Sequence, residues 1–197
     1  MHCLIIYAHP DVRSFVAAMR DAFLEGLGRQ GHTYQSVDLY REGFNPALSL
    51  TELYTRESRE IPSDIAAYQD KIHKADLIVL AFPTWWQGPP AIMKGFLDRV
   101  LTPGFAFEMN GKLHKGLLRG KAVIVLNSYE TPRFIVKAVN GDRAFRMLKR
   151  DVFRFCGIRK VFRLSAYSLS AAAVQYREKI LDKVREFGTD IGAWAIG

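Results

Sequence analysis

Residues 76–82, Asp-Leu-Ile-Val-Leu-Ala-Phe, constrain this chain more than any other segment: one aspartate opens six consecutive apolar residues, and Pro83 closes them. A strand that is apolar on both faces has to be covered on both faces, the mark of a parallel sheet lying between two helical layers. Residues 3–7, 34–39, 122–126 and 161–167 read as further strands, being short and bounded by turn formers.

Helical periodicity fills the intervals. Ser14 suits an N-cap, and Phe15, Ala18, Met19, Ala22, Phe23 and Leu27 follow at three-and-four spacing until Gly28 and Gly31 end the helix. Further helices are expected over 63–75, 90–101 and 142–155. The last begins at about residue 170, with Val174, Ile180, Leu181, Val184, Phe187 and Ile191 on its apolar face. Residues 40–62 carry Gly43, Asn45-Pro46 and Pro62, and read as an irregular excursion with one helical turn; residues 102–120 read as loop. Without repeats or a break in composition, residues 1–197 form a single α/β domain.

With 49% hydrophobic and 24% charged residues, the chain can bury a sizeable core, which excludes disordered, collagen-like and coiled-coil classes. Its longest apolar run is far short of the ~18 residues that span a bilayer, so no membrane insertion is expected. Met1 runs almost directly into a strand, leaving no visible signal peptide. Cys3 and Cys156 form no CxxC, and the five histidines make no HxxH or HxxxH set, so no metal site and a reduced, cytoplasmic setting are expected.

The net charge of +8 is uneven: residues 112–163 hold fourteen Lys/Arg against Glu130, Asp142 and Asp151. Three readings are open. Such a cluster can attract nucleic acid, although no nucleic-acid module accompanies it and none is expected as a partner. Arg143, Arg146, Lys149, Arg150 and Arg154 can form the solvated face of one helix. Some of the cations can meet the phosphates of a nucleotide cofactor.

In open parallel sheets, ligands bind beyond the carboxyl ends of the strands, near the switch in strand order. That rule selects residues 8–14, 82–90 and 127–134. The first joins a strand to a helix N-terminus and suits an anion, with Arg13, Ser14 and His9 as added donors; it is neither GxGxxG nor a Walker loop. The second sets Trp85 and Trp86 between prolines, a rigid π-surface for a planar ligand. The third offers the amide of Asn127 and the hydroxyls of Ser128 and Tyr129 to the edge of a heteroaromatic ring.

Several motifs in order along the chain resemble the NAD(P)H:quinone oxidoreductase family of flavodoxin-like flavoproteins. They are Ala8-His9-Pro10 with Ser14-Phe15, Asp38-Leu39-Tyr40 with Phe44-Asn45-Pro46, and Phe82-Pro83 with Trp86. Pro90-Ala91-Ile92-Met93-Lys94-Gly95-Phe96, Asp98-Arg99-Val100, Gly104-Phe105-Ala106-Phe107 and Phe155-Cys156-Gly157 continue the pattern. The resemblance implies a flavodoxin-like three-layer sandwich with five parallel strands in the order 2-1-3-4-5. It also implies a homodimer with active sites at the interface.

By the same resemblance, His9, Arg13, Ser14 and Phe15 hold the phosphate end of a flavin, FMN and FAD both being open. Pro83, Thr84, Trp85 and Trp86 line its ring, and Asn127, Ser128 and Tyr129 follow its pyrimidine edge, with Ser128 and Tyr129 as the catalytic donors. The implied activity is two-electron transfer from NAD(P)H to a small-molecule acceptor: a quinone, or an azo or nitro compound. The chain departs from the family at Val16, Phe134 and Asn140, where an Asn, a Tyr and a His are usual, and this leaves the proton donor unassigned. Two other classes stand beside this one: an ancillary, nucleotide-binding subunit of a membrane transport system, and a flavodoxin-like electron carrier, which is usually acidic.

Overall fold

The computed structural model describes residues 1–53, 60–110 and 113–191. Five strands form one parallel sheet: β1 (His2–Tyr7), β2 (Thr33–Asp38), β3 (Leu77–Pro83), β6 (Ala122–Ser128) and β7 (Lys160–Ala166), in the order β2-β1-β3-β6-β7. Counting sheet strands alone, this is the expected 2-1-3-4-5. The numbering differs because residues 102–120, expected as loop, contain an antiparallel hairpin, β4 (Phe107–Asn110) with β5 (Leu113–Gly116). Asn110 pairs with Leu113 at the far end of that hairpin.

Alternation along the strands divides the core. Leu4, Ile6, Ile78, Leu80, Val123 and Val125 face one side, where α2 (Ser63–Lys74), α3 (Ala91–Val100) and a helical stretch over residues 143–153 cover them. Cys3, Ile5, Tyr7, Leu77, Val79, Ile124 and Leu126 face the other, beneath α1 (Phe15–Arg29) and the last helix (Val174–Thr189). The two cysteines therefore sit buried and free on opposite faces of the sheet, and burial pushes each thiol up to about 11.

The helix expected over 142–155 begins as α4 (Arg143–Arg146) and continues through the wider turns of Met147–Phe153. Arg143, Arg146, Arg150 and Arg154 are exposed there, as the solvated-face reading expects, whereas Lys149 is half-buried with its ammonium 5.7 Å from the Phe145 ring. The last helix, α5, starts four residues later than expected because Leu169–Ala171 forms a separate short turn. Val174, expected on its apolar face, is 63% exposed at its first position. Helices α1 and α5 cross closely at Gly26 and Gly188, where a Cβ would lie 2.2 Å from the Arg185 carbonyl oxygen and 2.6 Å from that of Phe23.

The excursion after β2 is anchored by charge. Arg99 on α3 reaches Glu52 (2.7 Å) in the short turn Leu50–Glu52, and it also donates to the Asn45 carbonyl (2.7 Å). Both side chains are buried. Burial alone would raise the Glu52 carboxyl, but hydrogen bonds from Arg99 and Ser49 outweigh it and hold the group below the usual range. Residues 54–59 of the excursion lie outside the described residues. Among the described residues, no helix is long and apolar enough to cross a membrane.

Candidate functional site

β1 pairs with β2 on one side and β3 on the other, so strand order reverses beside it, and a crevice opens above the carboxyl ends of β1, β3 and β6. Residues from all three post-strand segments meet in a cleft of about 280 Å³ there. His9, Ser14, Phe15, Pro83, Trp85 and Ser128, all anticipated from sequence, line it.

Its floor is the start of α1. Ser14 caps the helix by accepting from the Ala17 N–H (3.2 Å), and its hydroxyl is held 3.1 Å from that of Tyr7, which donates to the Asp11 carbonyl (3.0 Å). The N–H groups of Phe15 and Val16, in the first turn, have no intrahelical acceptor, which is the arrangement that binds anions. His9 Nδ1 accepts from the Asp11 N–H (2.9 Å), so the ring proton is on Nε2 and that nitrogen is a donor.

Trp85 and Pro83 form a second wall. Trp85 leans toward His9, with ring centroids 6.0 Å apart, and exchanges backbone hydrogen bonds with Gly88. Between them Trp86 (φ 50°) and Gln87 (φ 60°) both take the left-handed conformation that Asn-Gly normally supplies in such a turn. Neither is suited to it, so the turn carries strain of roughly 1–3 kcal/mol per residue. The Gln87 Oε1 is also buried without a hydrogen-bond partner among the described residues. The turn throws the Trp86 side chain fully into solvent.

Five anticipated residues do not line the cleft. Arg13 points outward, 89% exposed, against Asp11. Trp86 stands away from it. Asn127 is buried, donating to Thr84 Oγ1 (2.9 Å) and accepting from Ser165 Oγ (2.6 Å), so Asn127 and Thr84 brace the strand ends. Tyr129 is buried against Tyr167 in a parallel stack at 5.1 Å, and its N–H donates to the Ala166 carbonyl (2.8 Å). Burial pushes its phenol up, and among the described residues the hydroxyl has no partner of hydrogen-bond geometry. Ser128 is thus the anticipated side-chain donor that remains at the third strand end.

Val16, Glu130, Leu169, Ser170 and Arg177 complete the lining, and sequence reasoning did not select them. Arg177 donates to the Leu169 carbonyl (2.7 Å), and Glu130 accepts from the Ser170 N–H (2.8 Å), so the turn before α5 is stitched over the cleft. Nothing in the local sequence marks Arg177; only the return of α5 alongside α1 brings it to the turn between β1 and α1. Among the described residues, no group of three metal-ligating side chains converges.

A family model described as the flavodoxin-like fold matches residues 1–187, and the chain belongs to that family. Within it, the chain is 37% identical over 177 residues to ribosyldihydronicotinamide dehydrogenase (quinone) of Pongo abelii, covering 79% of this chain and 77% of that protein. It is 39% identical over 163 residues to an uncharacterized NAD(P)H oxidoreductase of Haemophilus influenzae, covering 82% and 81%. The NAD(P)H:quinone oxidoreductase from Methanothermobacter marburgensis superimposes with a TM-score of 0.85 at 29% identity, over 97% of this chain and 96% of that one.

Proposed function

We propose that the cleft holds a flavin and that the chain is a two-electron reductase, passing hydride from NAD(P)H to a quinone-like acceptor. It is an oxidoreductase of the NAD(P)H dehydrogenase (quinone) type, as are the relatives that match most of its length. One observation carries the reading beyond family membership: a helix N-terminus, an indole wall and a hydroxyl converge in one cleft at adjacent strand ends. Those are the three chemistries that a phosphate, a planar ring and a ring edge require.

The residues present fit the cofactor. The Phe15 and Val16 N–H groups, the His9 Nε2–H and Arg177 would hold its phosphate end, FMN and FAD both being accommodated by this donor set. Pro83 and Trp85 would wall the ring and keep water from one side. The bound flavin supplies hydride acceptance and release, while the protein orients it and stabilises charge. Ser128 would donate to the pyrimidine edge, where negative charge grows on reduction; a lost donor of this type typically costs ~10²–10³ in rate. With Phe134 and Asn140 in place of titratable groups, no histidine on that loop moves a proton.

A homodimer follows from the same reading. Trp86, Phe134 and Val139 are 102%, 68% and 70% exposed around the mouth of the strand ends, and such apolar surface favours a partner copy. Of the segment 105–107, Ala106 is fully buried, and Phe105 and Phe107 are half-buried against the core. The excursion contributes exposed Tyr40, Leu48 and Leu50.

Steady NAD(P)H consumption with a soluble quinone, measured on purified protein, tests the activity. Turnover that requires both substrates supports it. Bound flavin with no catalytic NAD(P)H oxidation by any quinone, azo or nitro acceptor contradicts it.

A further inference from the structure

The basic segment noted in the sequence does more than solvate one helix. A second cleft, of about 560 Å³, opens between the outer edge of β7, the turn Ile135–Val139 with the residue pair before it, and the flank of α5. Among the described residues, four cations line it, Arg133, Lys137, Arg163 and Lys183, and no carboxylate does. They come from three separate parts of the chain, so helical periodicity does not explain their meeting.

Arg163 is already satisfied: its guanidinium pairs with Asp142 at 2.5 Å and lies 4.3 Å from the Phe145 ring. Arg133, Lys137 and Lys183 have no ion-pair partner among the described residues. Like charges converging on one cavity repel, and an anion placed among them relieves that repulsion. The walls are not those of a bare ion site. Tyr176 is fixed by accepting the Tyr167 N–H on its hydroxyl (3.1 Å), and Leu164 and Ile180 add apolar surface. The volume lies within the roughly 300–1,000 Å³ of small-molecule sites.

Two other basic clefts among the described residues lack this combination. That of Arg143, Arg146 and Arg150 includes Asp151 and lies on the solvated face of one helix. That of Arg119 and Arg159 includes Asp76, and its Lys121 donates to the His73 and Ala75 carbonyls.

The second cleft also adjoins the first. Leu169 and Ser170 line the one; Tyr167, Ser168, Ala171 and Ala172 line the other, so a single short segment separates them. Ser168 turns that segment in the left-handed conformation (φ 53°).

We infer that this second cleft binds a nucleotide through a phosphomonoester, with Arg133, Lys137 and Lys183 on the phosphate and Tyr176 beside the base or sugar. Two sources share that chemistry: the 2′-phosphate of NADPH, an assignment that rests on the reductase reading, and a separate nucleotide that does not depend on it.

The test is calorimetric titration of the purified, flavin-loaded protein with adenosine 2′,5′-bisphosphate at fixed ionic strength. Wild type is compared with Lys137→Gln/Lys183→Gln and with a control of equal charge loss, Arg143→Gln/Arg150→Gln. All four positions are exposed; Lys183→Glu alone replaces the double variant should it fail to fold. Loss of charge-assisted hydrogen bonds weakens binding about tenfold or more in the first variant and leaves the control unchanged. KM for NADPH and NADH then separates the sources. A rise for NADPH alone, at constant kcat, identifies the hydride donor; no change in either, with weakened bisphosphate binding, identifies a separate nucleotide. Bisphosphate binding in a protein that oxidises neither dinucleotide would sink the reductase reading and leave the site standing. Absence of binding by wild type, equal affinity in the double variant, or an equal loss in the control would overturn the site.

Discussion

Asn127 Nδ2 donates to Thr84 Oγ1 across 2.9 Å, and the Thr84 N–H donates to the Ser128 carbonyl at 2.8 Å, so the loops after β3 and β6 leave the sheet as one unit. The Asn127 Oδ1 accepts from Ser165 on β7, extending the tie to a third strand. The rigidity of the Trp85 wall depends on this brace, because the turn beyond it is strained.

Asn127→Ala removes the shared partner of two hydroxyls. Leaving half-buried polar groups unsatisfied costs about 1–3 kcal/mol, so the urea midpoint falls by that equivalent, and flavin binds more weakly as the loop loosens. Equal stability and equal flavin affinity in the variant would show that the brace holds nothing.

The two tryptophans separate by their surroundings. Trp85→Ala removes the wall of the cleft and lowers flavin affinity by the ~0.5–1.5 kcal/mol of stacking beyond lost area. Trp86→Ala changes the stability of the subunit by less than ~0.5 kcal/mol, as exposed substitutions do, but weakens self-association in sedimentation equilibrium. A Trp86→Ala subunit that unfolds at markedly lower urea would place that indole in a packed environment instead.

Acid should release the excursion over α3. The Glu52 carboxyl is depressed in the folded chain, so its contribution is fully present above the unfolded value of ~4.3 and is lost as pH falls through the lower folded value. Breaking the buried pair in Glu52→Gln leaves the Arg99 charge to the Asn45 carbonyl and the more distant Asp64 carboxylate (3.6 Å), and costs up to about 3–5 kcal/mol at neutral pH. Urea midpoints of wild type and Glu52→Gln should converge as pH drops below 4; a gap that persists there contradicts the assignment.

The central strands β1, β3 and β6 were legible because burial on both faces writes an uninterrupted apolar run, and the start of α1 because an N-cap has a narrow residue preference. Side-chain direction in the loops was not legible. Asn127, Ser128 and Tyr129 differ in fate because successive residues at a strand end alternate in direction, and β7 decides which of them it pairs with. Ser128 turns to the cleft, Asn127 to Thr84 and Ser165, and the Tyr129 N–H to Ala166. Likewise Arg177 and Lys183 are ordinary helix cations in sequence, and come to line two clefts only when α5 folds back between them.

The central claim is that the first cleft holds a flavin which NAD(P)H reduces. Anaerobic mixing of the purified, flavin-loaded protein with NADPH or NADH, followed by visible absorbance, tests it most directly. The account predicts complete bleaching of the oxidised flavin band by at least one dinucleotide, recovery when a soluble quinone is added, and slower bleaching in Ser128→Ala. A protein that takes up no flavin, or a bound flavin that stays oxidised under excess NADPH and NADH, would contradict it.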